Sequence, residues 1–507
     1  MDKECKIIMK SCYFVIFMPL LFGSCTPKDT ELAWDVNLPV IGSQSSPRAA
    51  DLNGDGTLDI AMGACKNEYQ STEQGVLAFD GKTGEVIWQQ PADDQVFGSA
   101  TFYDITGDGI QDVFIGGRSS FLKAIDGKSG DVIWTYQYRY EHDSILKHAR
   151  FNFYSSVLVP DQNQDGYPDL LIQNGGNQKA APNTEADRFP GVLMLFDLKT
   201  GDILAADTMP DGKESYMSAL CFAQPGSEDY SIVFGTGGET ISGNLYLVRL
   251  SDFVHKNLSD ARIIASEDGH GFIAPPVVVD VNKDGYYDII AISHNSAIFA
   301  INGRDLSHIW QQKIPDTESS NSFAVGYFTD DDIPDLFTFV SKGQWPNSTG
   351  SLQVMVDGRN GEIVFLDSIG CTGFSSPVVY DLNRDGRDEA IISINEYDCN
   401  IGFVIRNQST IESKLLAIDF SNHSVYAIDQ LQEFKNIFST PWIGDLDQDG
   451  YLDIVHCQYY SPPSHLLTFL GMRVRRISTS IRARQAPVWG AYLGSNGDGI
   501  FPIDNSR

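Results

Sequence analysis

The sequence predicts an all-β fold built from eight similar units, each a sheet of four antiparallel strands, and three observations support this. An aspartate-rich string, "DLNGDGTLDIAMG" at residues 51–63, returns near residues 104, 161, 280, 381 and 445. Each copy follows a pair of small residues and a short apolar run, and leads into a second apolar strand. Glycine-containing turns between short apolar runs then indicate a hairpin, as in "GVLAFDGKTGEVIWQ" at 75–89.

Two weaker copies fill the long gaps between the clear ones, so that eight units start at intervals of 47 to 64 residues. The copy at 217–238 keeps the strand pattern but lacks the aspartates, and the copy at 322–340 has Tyr327 at the first aspartate position. A four-stranded sheet repeated at this period cannot bury both faces alone, but stacked radially it becomes a propeller blade. The sequence therefore predicts an eight-bladed β-propeller. A solenoid would need polar capping units, which the sequence does not show.

The N-terminal segment "ELAWDVNLP" (31–39) predicts how the ring closes. It resembles the fourth-strand segments that contain Trp88, Trp134 and Trp310, yet it precedes the first unit. We therefore expect this strand to complete the last blade, and we place the propeller at residues 31–471.

The aspartate-rich strings have the pattern of a calcium-binding turn. Oxygen-bearing side chains stand at positions one, three, five and nine, and a glycine at position six permits a sharp turn, which is how a hard cation is wrapped. Position twelve lacks the glutamate of a helix–loop–helix calcium site, and the flanks are strands. We call positions one to nine of each string the Asp turn. An ordinary turn with aspartate side-chain hydrogen bonds is the alternative for any single copy.

Six copies predict up to six structural calcium ions, with Thr106 making the second site weaker than the others. The expected ligands are Asp51, Asn53, Asp55 and Asp59; Asp104, Thr106, Asp108 and Asp112; Asp161, Asn163, Asp165 and Asp169; Asp280, Asn282, Asp284 and Asp288; Asp381, Asn383, Asp385 and Glu389; and Asp445, Asp447, Asp449 and Asp453.

The Asp turns resemble those of FG-GAP/VCBS propellers, including the integrin α-chain propeller. The segments "LAFDGKTGEVIW" and "AIDGKSGDVIW" resemble the tryptophan-docking repeat of eight-bladed quinoprotein dehydrogenases and of a related outer-membrane assembly lipoprotein. The two resemblances cover residues 31 to 470 and imply a calcium-bearing propeller. They also imply that partners bind on the face opposite the Asp turns, as they do in integrins.

Three long loops and one short segment are expected on that opposite face. Aromatic side chains beside arginines suit sugars or anionic ligands. The candidate ligand residues are Tyr138, Arg139, Tyr140, Arg150, Arg188, Trp345, Tyr459 and Tyr460. The alternative is that these are solvated loops with a few packed aromatic rings.

The two ends of the chain carry further expectations. Residues 1–24 resemble a lipoprotein signal peptide, with lipid attached to Cys25 and a short tether over 25–30; a plain secretory signal is the alternative. The segment 472–507 opens with five arginines in "MRVRRISTSIRARQ", and we expect it to pack on the acidic body or to form the outer strand of the last blade. Binding of an anionic partner is the alternative. Cys371 and Cys399 are the likeliest disulfide pair, because both fall within one repeat.

The net charge and the motifs of the sequence exclude some classes of partner and favour a binding function. A net charge of -31 argues against nucleic acid, and against a membrane surface except through the N-terminal lipid. We expect a calcium-stabilised, lipid-anchored module of the bacterial cell envelope that binds protein or glycan without catalysis. The alternative is a carbohydrate-active enzyme, such as a polysaccharide lyase, on the same scaffold. The resemblance to quinoprotein dehydrogenases implies adjacent cysteines near the cofactor, and because no two cysteines here are adjacent, a quinone-dependent dehydrogenase is disfavoured.

Overall fold

The structure is a computed structural model that describes residues 30–177, 179–181, 184–217, 219–344, 348–401, 411–462 and 468–503. The signal peptide, Cys25 and nearly all of the tether lie outside the described residues, and so does Trp345. Within the described part of the chain, no helix is both long and apolar enough to cross a membrane.

Eight antiparallel sheets of four main strands confirm the predicted eight-bladed propeller. The blades comprise the following strands in order from the innermost: blade 1, Arg48–Ala50, Asp59–Gly63, Thr72–Phe79 and Val86–Ala92; blade 2, Thr101–Tyr103, Asp112–Gly116, Leu122–Ile125 and Val132–Thr135; blade 3, Val157–Val159, Asp169–Gly175, Val192–Asp197 and Ile203–Thr208; blade 4, Leu220–Ala223, Tyr230–Gly235, Gly243–Arg249 and Arg262–Glu267; blade 5, Val277–Val279, Asp288–Ile292, Ala297–Ile301 and His308–Lys313; blade 6, Ala324–Gly326, Asp335–Lys342, Gly350–Val356 and Ile363–Asp367; blade 7, Val378–Tyr380, Glu389–Glu396, Glu412–Asp419 and Ser424–Gln432; blade 8, Trp442–Gly444, Tyr451–Tyr460, Gly471–Arg482 and Thr30–Pro39.

A few short elements decorate the sheets. Asn152–Phe153 and Thr317–Glu318 pair with the second strands of blades 3 and 6. The α-helix Leu250–Lys256 follows the third strand of blade 4, and 3₁₀ turns occur at Leu146–His148 and Cys399–Ile401.

The ring closes as expected, with Thr30–Pro39 forming the outer strand of blade 8. It pairs antiparallel with Gly471–Arg482, and Trp34 lies opposite Arg476. This register corrects one expectation. The arginine-rich segment is the third strand of blade 8, not its outer strand, so it belongs to the propeller sheet itself.

Apolar contacts hold neighbouring blades together around the whole ring. One buried cluster joins Met62, Leu77 and Phe79 of blade 1 to Val455 and Val474 of blade 8, and comparable clusters fill the other interfaces. The two weaker sequence copies are therefore complete blades, because their strands keep apolar residues on the buried positions even though their Asp turns have degenerated.

Four fourth-strand tryptophans dock onto the next blade. The indole N–H groups of Trp34, Trp88, Trp134 and Trp310 donate to the carbonyls of Gly81, Gly127, Leu198 and Gly358 at 2.6 to 2.9 Å. Each ring also lies against the glycine three residues after the residue that accepts its hydrogen bond. A Cβ on Gly84, for example, would stand 2.9 Å from the Trp34 ring, and its φ of +77° also favours glycine.

Residues 486–503 fill one end of the central axis. Backbone N–H groups of Val379 and Ile443, in the innermost strands of blades 7 and 8, donate to the carbonyls of Trp489 and Gly490 at 2.9 and 2.7 Å. In the innermost strand of blade 5, Val278 exchanges two backbone hydrogen bonds with this segment. We call residues 486–503 the axial plug.

Candidate functional site

Each clear Asp turn curls around its first carboxylate. In blade 1 the Asp51 carboxylate accepts hydrogen bonds from the backbone N–H groups of Gly54 and Gly56 at 2.7 and 3.0 Å. Both glycines have positive φ, which permits this tight return of the chain. The bond from the sixth-position glycine recurs at 2.8 to 3.1 Å in the other five turns. The structure thus brings the predicted side chains of each copy into one turn.

The ninth-position carboxylate is buried and serves as an anchor. Asp59 accepts the N–H groups of Leu52 and Asn53 from its own turn, and that of Gly81 from the hairpin between the third and fourth strands. Burial raises the pKa of Asp59 to about 6 and, in blade 7, the pKa of Glu389 to about 8. A cation at the turn would favour the ionised forms, so the burial of these carboxylates fits a cation site.

Sequence reasoning missed a further oxygen donor at the end of the third strand. In blade 3 Asp197 lies directly across from the ninth-position Asp169, and the Asn163 side-chain amide donates to it at 2.9 Å. The equivalent residues are Asp80, Asp126, Asn302, Asp357 and Asp419. The signal was present in the repeated "FDGKTG" and "IDGKSG" segments, whose aspartate faces the Asp turn once strands two and three pair.

Blade 7 shows the most complete convergence of carboxylates. Oxygen atoms of Asp385, Glu389 and Asp419 all lie within 4.8 Å of one another, one of two such groups among the described residues. The Asn383 amide bridges Glu389 and Asp419 at 2.7 and 3.1 Å. Three carboxylates at this separation repel each other strongly unless a positive charge lies between them. The donor set, all oxygen, is the one calcium prefers.

Blade 5 offers a second structural observation. The Oδ1 atom of Asp280 is buried and has no hydrogen-bond partner among the described residues, although it belongs to the first ligand position. A buried carboxylate oxygen normally finds a donor or a cation. The Asp turn of blade 5 therefore also fits a metal ion.

Blade 8 has the second convergent group, formed by Asp445, Asp447 and Asp453, but it already contains a cation. The Arg476 guanidinium donates through Nη2 to Asp447 at 2.5 Å and to Asp453 at 2.9 Å, and through Nε to Asp453 at 2.9 Å. Arg476 is 4% exposed, and the charges of Asp453 and Asp447 hold its pKa above the usual value in spite of burial. In this turn a guanidinium supplies positive charge, although Oδ1 of the first-position Asp445 is buried without a hydrogen-bond partner among the described residues, as Oδ1 of Asp280 is in blade 5.

In blade 6, whose Asp turn is degenerate, basic side chains neutralise the negative charge of the turn. Its three consecutive aspartates pair with basic residues of three blades: Asp330 with Arg387, Asp331 with Arg359, and Asp332 with Lys283. No metal needs to be invoked for this turn.

The axis contains a cavity of about 250 Å³, which the axial plug closes at one end and which opens at the other end of the axis. Innermost strands start with the small residues beside this cavity and end at the Asp turns, so cavity and Asp turns lie at opposite ends of the axis. Tyr492 of the axial plug is one of the lining residues. We call the open end the loop face.

One equivalent position from every blade lines the cavity. It is the residue seven positions before the first position of each intact or degenerate Asp turn, and five of the eight are aromatic. In blade order these residues are Gln44, Phe97, Tyr154, Tyr216, Ile273, Ser320, Phe374 and Phe438. The cavity also contains Arg118 and Glu239 from loops between second and third strands. Sequence reasoning used the small residues but not their neighbour, because only the closed ring brings these side chains together.

The predicted ligand residues do not form one site. Tyr138 and Tyr140 pack on the apolar cluster between blades 2 and 3, and Arg139 lies over the Tyr140 ring at 5.9 Å. Arg150 lies over the rings of Phe151 and Phe189 at 5.3 and 5.0 Å.

Of the remaining predicted ligand residues, Arg188 acts on the cavity indirectly and Tyr459 lies away from it. Arg188 pairs with the buried Glu214 and contacts the Tyr216 hydroxyl at 3.4 Å, so it supports the cavity wall. Tyr459 is fully buried in the core between blades 8 and 1, which corrects its assignment to a ligand face. Tyr460 is partly buried beside Phe434.

The described cysteines comprise one disulfide pair and three free thiols. Cys371 and Cys399 form the expected disulfide, with 5.2 Å between their Cα atoms. The other described cysteines, Cys65, Cys221 and Cys457, are free and buried. None of these five lines the axial cavity.

Comparison with known proteins identifies the fold but no family. No protein-family model matches the chain, and no curated protein sequence is similar to it. Among solved structures, the quinohemoprotein alcohol dehydrogenase ADHIIG from Pseudomonas putida HK5 is similar over 90% of this chain and 77% of its own, with 11% identity and a TM-score of 0.56. A europium-containing methanol dehydrogenase is similar over 89% and 93%, with 10% identity and a TM-score of 0.55. BamB from Moraxella catarrhalis is also similar, with 10% identity over 88% of this chain and all of its own, and a TM-score of 0.45.

Proposed function

We propose that this protein is a calcium-stabilised binding module of a bacterial cell envelope, anchored by lipid at Cys25, that holds part of a protein or glycan in the axial cavity. The observation that carries the proposal is the cavity itself. It opens opposite the axial plug, is lined from all eight blades and faces away from the Asp turns. Convergent, largely apolar concavities with a few polar groups are the usual form of a ligand site.

Calcium would support this function by stiffening the other end of the blades. Gly81 links the two roles, because its N–H is bound by the ninth-position Asp59 and its carbonyl by Trp34 of blade 8. A cation that fixes the Asp turn of blade 1 therefore also fixes a contact between blades. We propose sites in blades 1, 2, 3, 5 and 7, with FG-GAP/VCBS-type turns, and none in blade 8.

Binding is favoured over catalysis by the side chains present. Among the described residues that line the cavity, Glu239 is the one carboxylate, whereas glycoside hydrolysis commonly uses a pair. The enzyme alternative, a carbohydrate-active lyase or hydrolase, predicts shorter products when polysaccharides are incubated with the protein. Reproducible chain cleavage that is lost on Glu239→Gln would overturn the binding-only proposal.

The binding test uses glycan arrays and envelope-protein crosslinking with the mature chain. A Phe374→Ala, Phe438→Ala double variant removes one side of the aromatic lining. We expect its affinity for the glycan or protein that the wild type binds in these screens to fall at least 10-fold. Tyr230→Ala, which truncates an exposed ring in blade 4 away from the cavity, is the matched control. Equal retention by all three proteins would place the ligand elsewhere.

Lipid anchoring has its own test. Metabolic labelling with palmitate should mark the wild-type protein and send it to the membrane fraction, while Cys25→Ser should remain unlabelled. Labelling of the Cys25→Ser variant would refute the anchor without affecting the binding proposal.

A further inference from the structure

The aromatic residues of the cavity form two groups on opposite sides of the axis. In blades 2, 3 and 4 the rings of Phe97 and Tyr154 are 5.3 Å apart and those of Tyr154 and Tyr216 are 6.4 Å apart. Phe374 and Phe438, which precede the first strands of blades 7 and 8, are 5.7 Å apart. Because blades 3 and 7 are four positions apart in a ring of eight, the two groups face each other. We call them the aromatic walls.

The arginines near the aromatic walls already have anionic partners. Arg118 forms an ion pair with Glu68, donates through Nε to Gln95 at 2.9 Å and lies over the Phe97 ring at 5.4 Å, so the free aromatic faces of this wall are those of Tyr154 and Tyr216. Arg188 forms an ion pair with Glu214, whose side chain is fully buried. Arg48 is buried, donates to the Gly494 carbonyl and is not one of the lining residues. An anionic ligand would therefore have to compete with carboxylates that are already in place.

Glu239 has the opposite character. It is exposed and lines the cavity beside Tyr154 and Tyr216, and its carboxylate has no cationic partner among the described residues. The His270 ring contacts the backbone carbonyl of Glu239 at 2.7 Å, which leaves the carboxylate itself free. Burial raises the pKa of the Tyr154 phenol, so this wall stays uncharged at neutral pH.

Aromatic faces and a free carboxylate together form the chemistry that recognises organic cations. Ring quadrupoles attract ammonium groups, and this attraction is stronger where water is excluded. The net charge of -31 would draw cations towards the protein at low ionic strength. The volume of about 250 Å³ lies below the usual range for drug-sized ligands and suits a single small head group.

We propose that the axial cavity binds an alkylammonium group, held between the aromatic walls and neutralised by Glu239. The group could come from a free amine or from a lysine or methyl-lysine side chain of a protein that docks on the loop face. This inference rests on the proposed binding function of the cavity and names the chemistry of its ligand.

The test is calorimetric titration of the mature protein with choline and with 3,3-dimethyl-1-butanol, which has the same shape without the charge. We expect choline to bind at least 10-fold more tightly than the neutral alcohol, and Glu239→Gln to remove that preference. Glu85→Gln, an exposed carboxylate in the hairpin between the third and fourth strands of blade 1, should behave as wild type. Acetylated trimethyl-lysine amide forms a second arm: tighter binding than choline indicates a protein side chain as the source, and weaker binding indicates a free amine.

Three results would overturn the inference: equal affinity for the charged and neutral probes, no binding of either at millimolar concentration, or a preference for citrate over choline. The variants Phe374→Ala and Phe438→Ala separate this failure from that of the proposed function. If they lose a glycan or protein partner while choline still fails to bind, the binding function stands and only the cationic assignment falls.

Discussion

The Asp turns of blades 7 and 8 share the pattern of oxygen-bearing side chains at positions one, three, five and nine but differ in what neutralises their charge. Each gathers three carboxylates within 4.8 Å. In blade 7 the described residues place no guanidinium or ammonium group among the three, whereas in blade 8 Arg476 donates to two of them. An aspartate-rich turn therefore requires a positive charge, and its sequence does not determine whether a metal ion or a guanidinium supplies that charge.

Two substitutions on the third strand account for the difference. Strand register places Arg476 of blade 8 where blade 7 has Ala417, opposite Val455 and Ile391 respectively. Ser478 stands across from the ninth-position Asp453, where other blades have an aspartate such as Asp419. Blade 8 thus lacks the third-strand carboxylate that blade 7 has, and contains a guanidinium that blade 7 lacks.

The largest expected effect is that of removing calcium from the wild-type protein. A site held at 100 times its dissociation constant contributes about 2.7 kcal/mol to the free energy of unfolding, so losing several sites should lower the melting temperature by more than about 10 °C. Hydrogen exchange after chelation should quicken in residues 381–389 and stay unchanged in residues 445–453. Metal analysis should return five ions; six ions, or faster exchange in the blade 8 turn, would contradict the comparison.

Arg476→Ala should be the most damaging single substitution in blade 8. It leaves the buried Asp453 and Asp447 without their cation, and breaking a buried pair costs about 3–5 kcal/mol. We expect added calcium to restore part of this loss and the bound metal to rise by one ion, measured by chemical denaturation and mass spectrometry. Arg473→Ala, which removes a more exposed arginine of the same strand, should do neither. A loss that calcium does not change would show that Arg476 is only a packing residue.

Asp419→Ala should cost about 1–3 kcal/mol in the presence of calcium, because the Asn383 amide loses an acceptor and the turn loses a donor oxygen. The loss of unfolding free energy caused by Asp419→Ala should be smaller in the presence of a chelator, and the variant should bind one calcium ion fewer than the wild type. Ser478→Ala is the matched change in blade 8, where a 2.8 Å hydrogen bond to Asp453 disappears. It should lower stability by about 1 kcal/mol at any calcium concentration. Identical behaviour of the two variants would remove the distinction between the blades.

Arg359→Ala in blade 6 should have the smallest effect. Its pair with Asp331 lies at the surface, with the arginine side chain 52% exposed, and such pairs contribute about 0.2–1 kcal/mol. Denaturation at low and high salt measures this contribution, which should vanish at high salt. A loss as large as that of Arg476→Ala would mean that burial does not separate the two arginines.

The features of the fold that the sequence predicts correctly are those that repeat locally along the chain. The eight units, the closing strand Thr30–Pro39 and the disulfide between Cys371 and Cys399 each depend on patterns within one repeat or on comparison of repeats. The errors depend on register between distant strands. Periodicity indicated a strand over the arginines but not that it would lie third, and it did not show that Arg476 would enter an Asp turn.

The site was less predictable than the fold for the same reason. The aromatic residues that surround the axis are more than 50 residues apart in sequence from one blade to the next, and each one alone is an unremarkable loop residue. Tyr459 shows the converse. Its position near a loop predicts a ligand contact, but the structure buries its side chain in the core. Only the closed ring distinguishes the two environments.

The pairing of Trp34 with Arg476 has a consequence for how the chain reaches its native state. About 440 residues separate the two partners, so the first strand must wait unpaired while every other blade is synthesised. The axial plug comes later still in the chain. Any truncation before residue 471 would leave an open sheet edge at each end of the arc, and exposed edges of this kind seed aggregation.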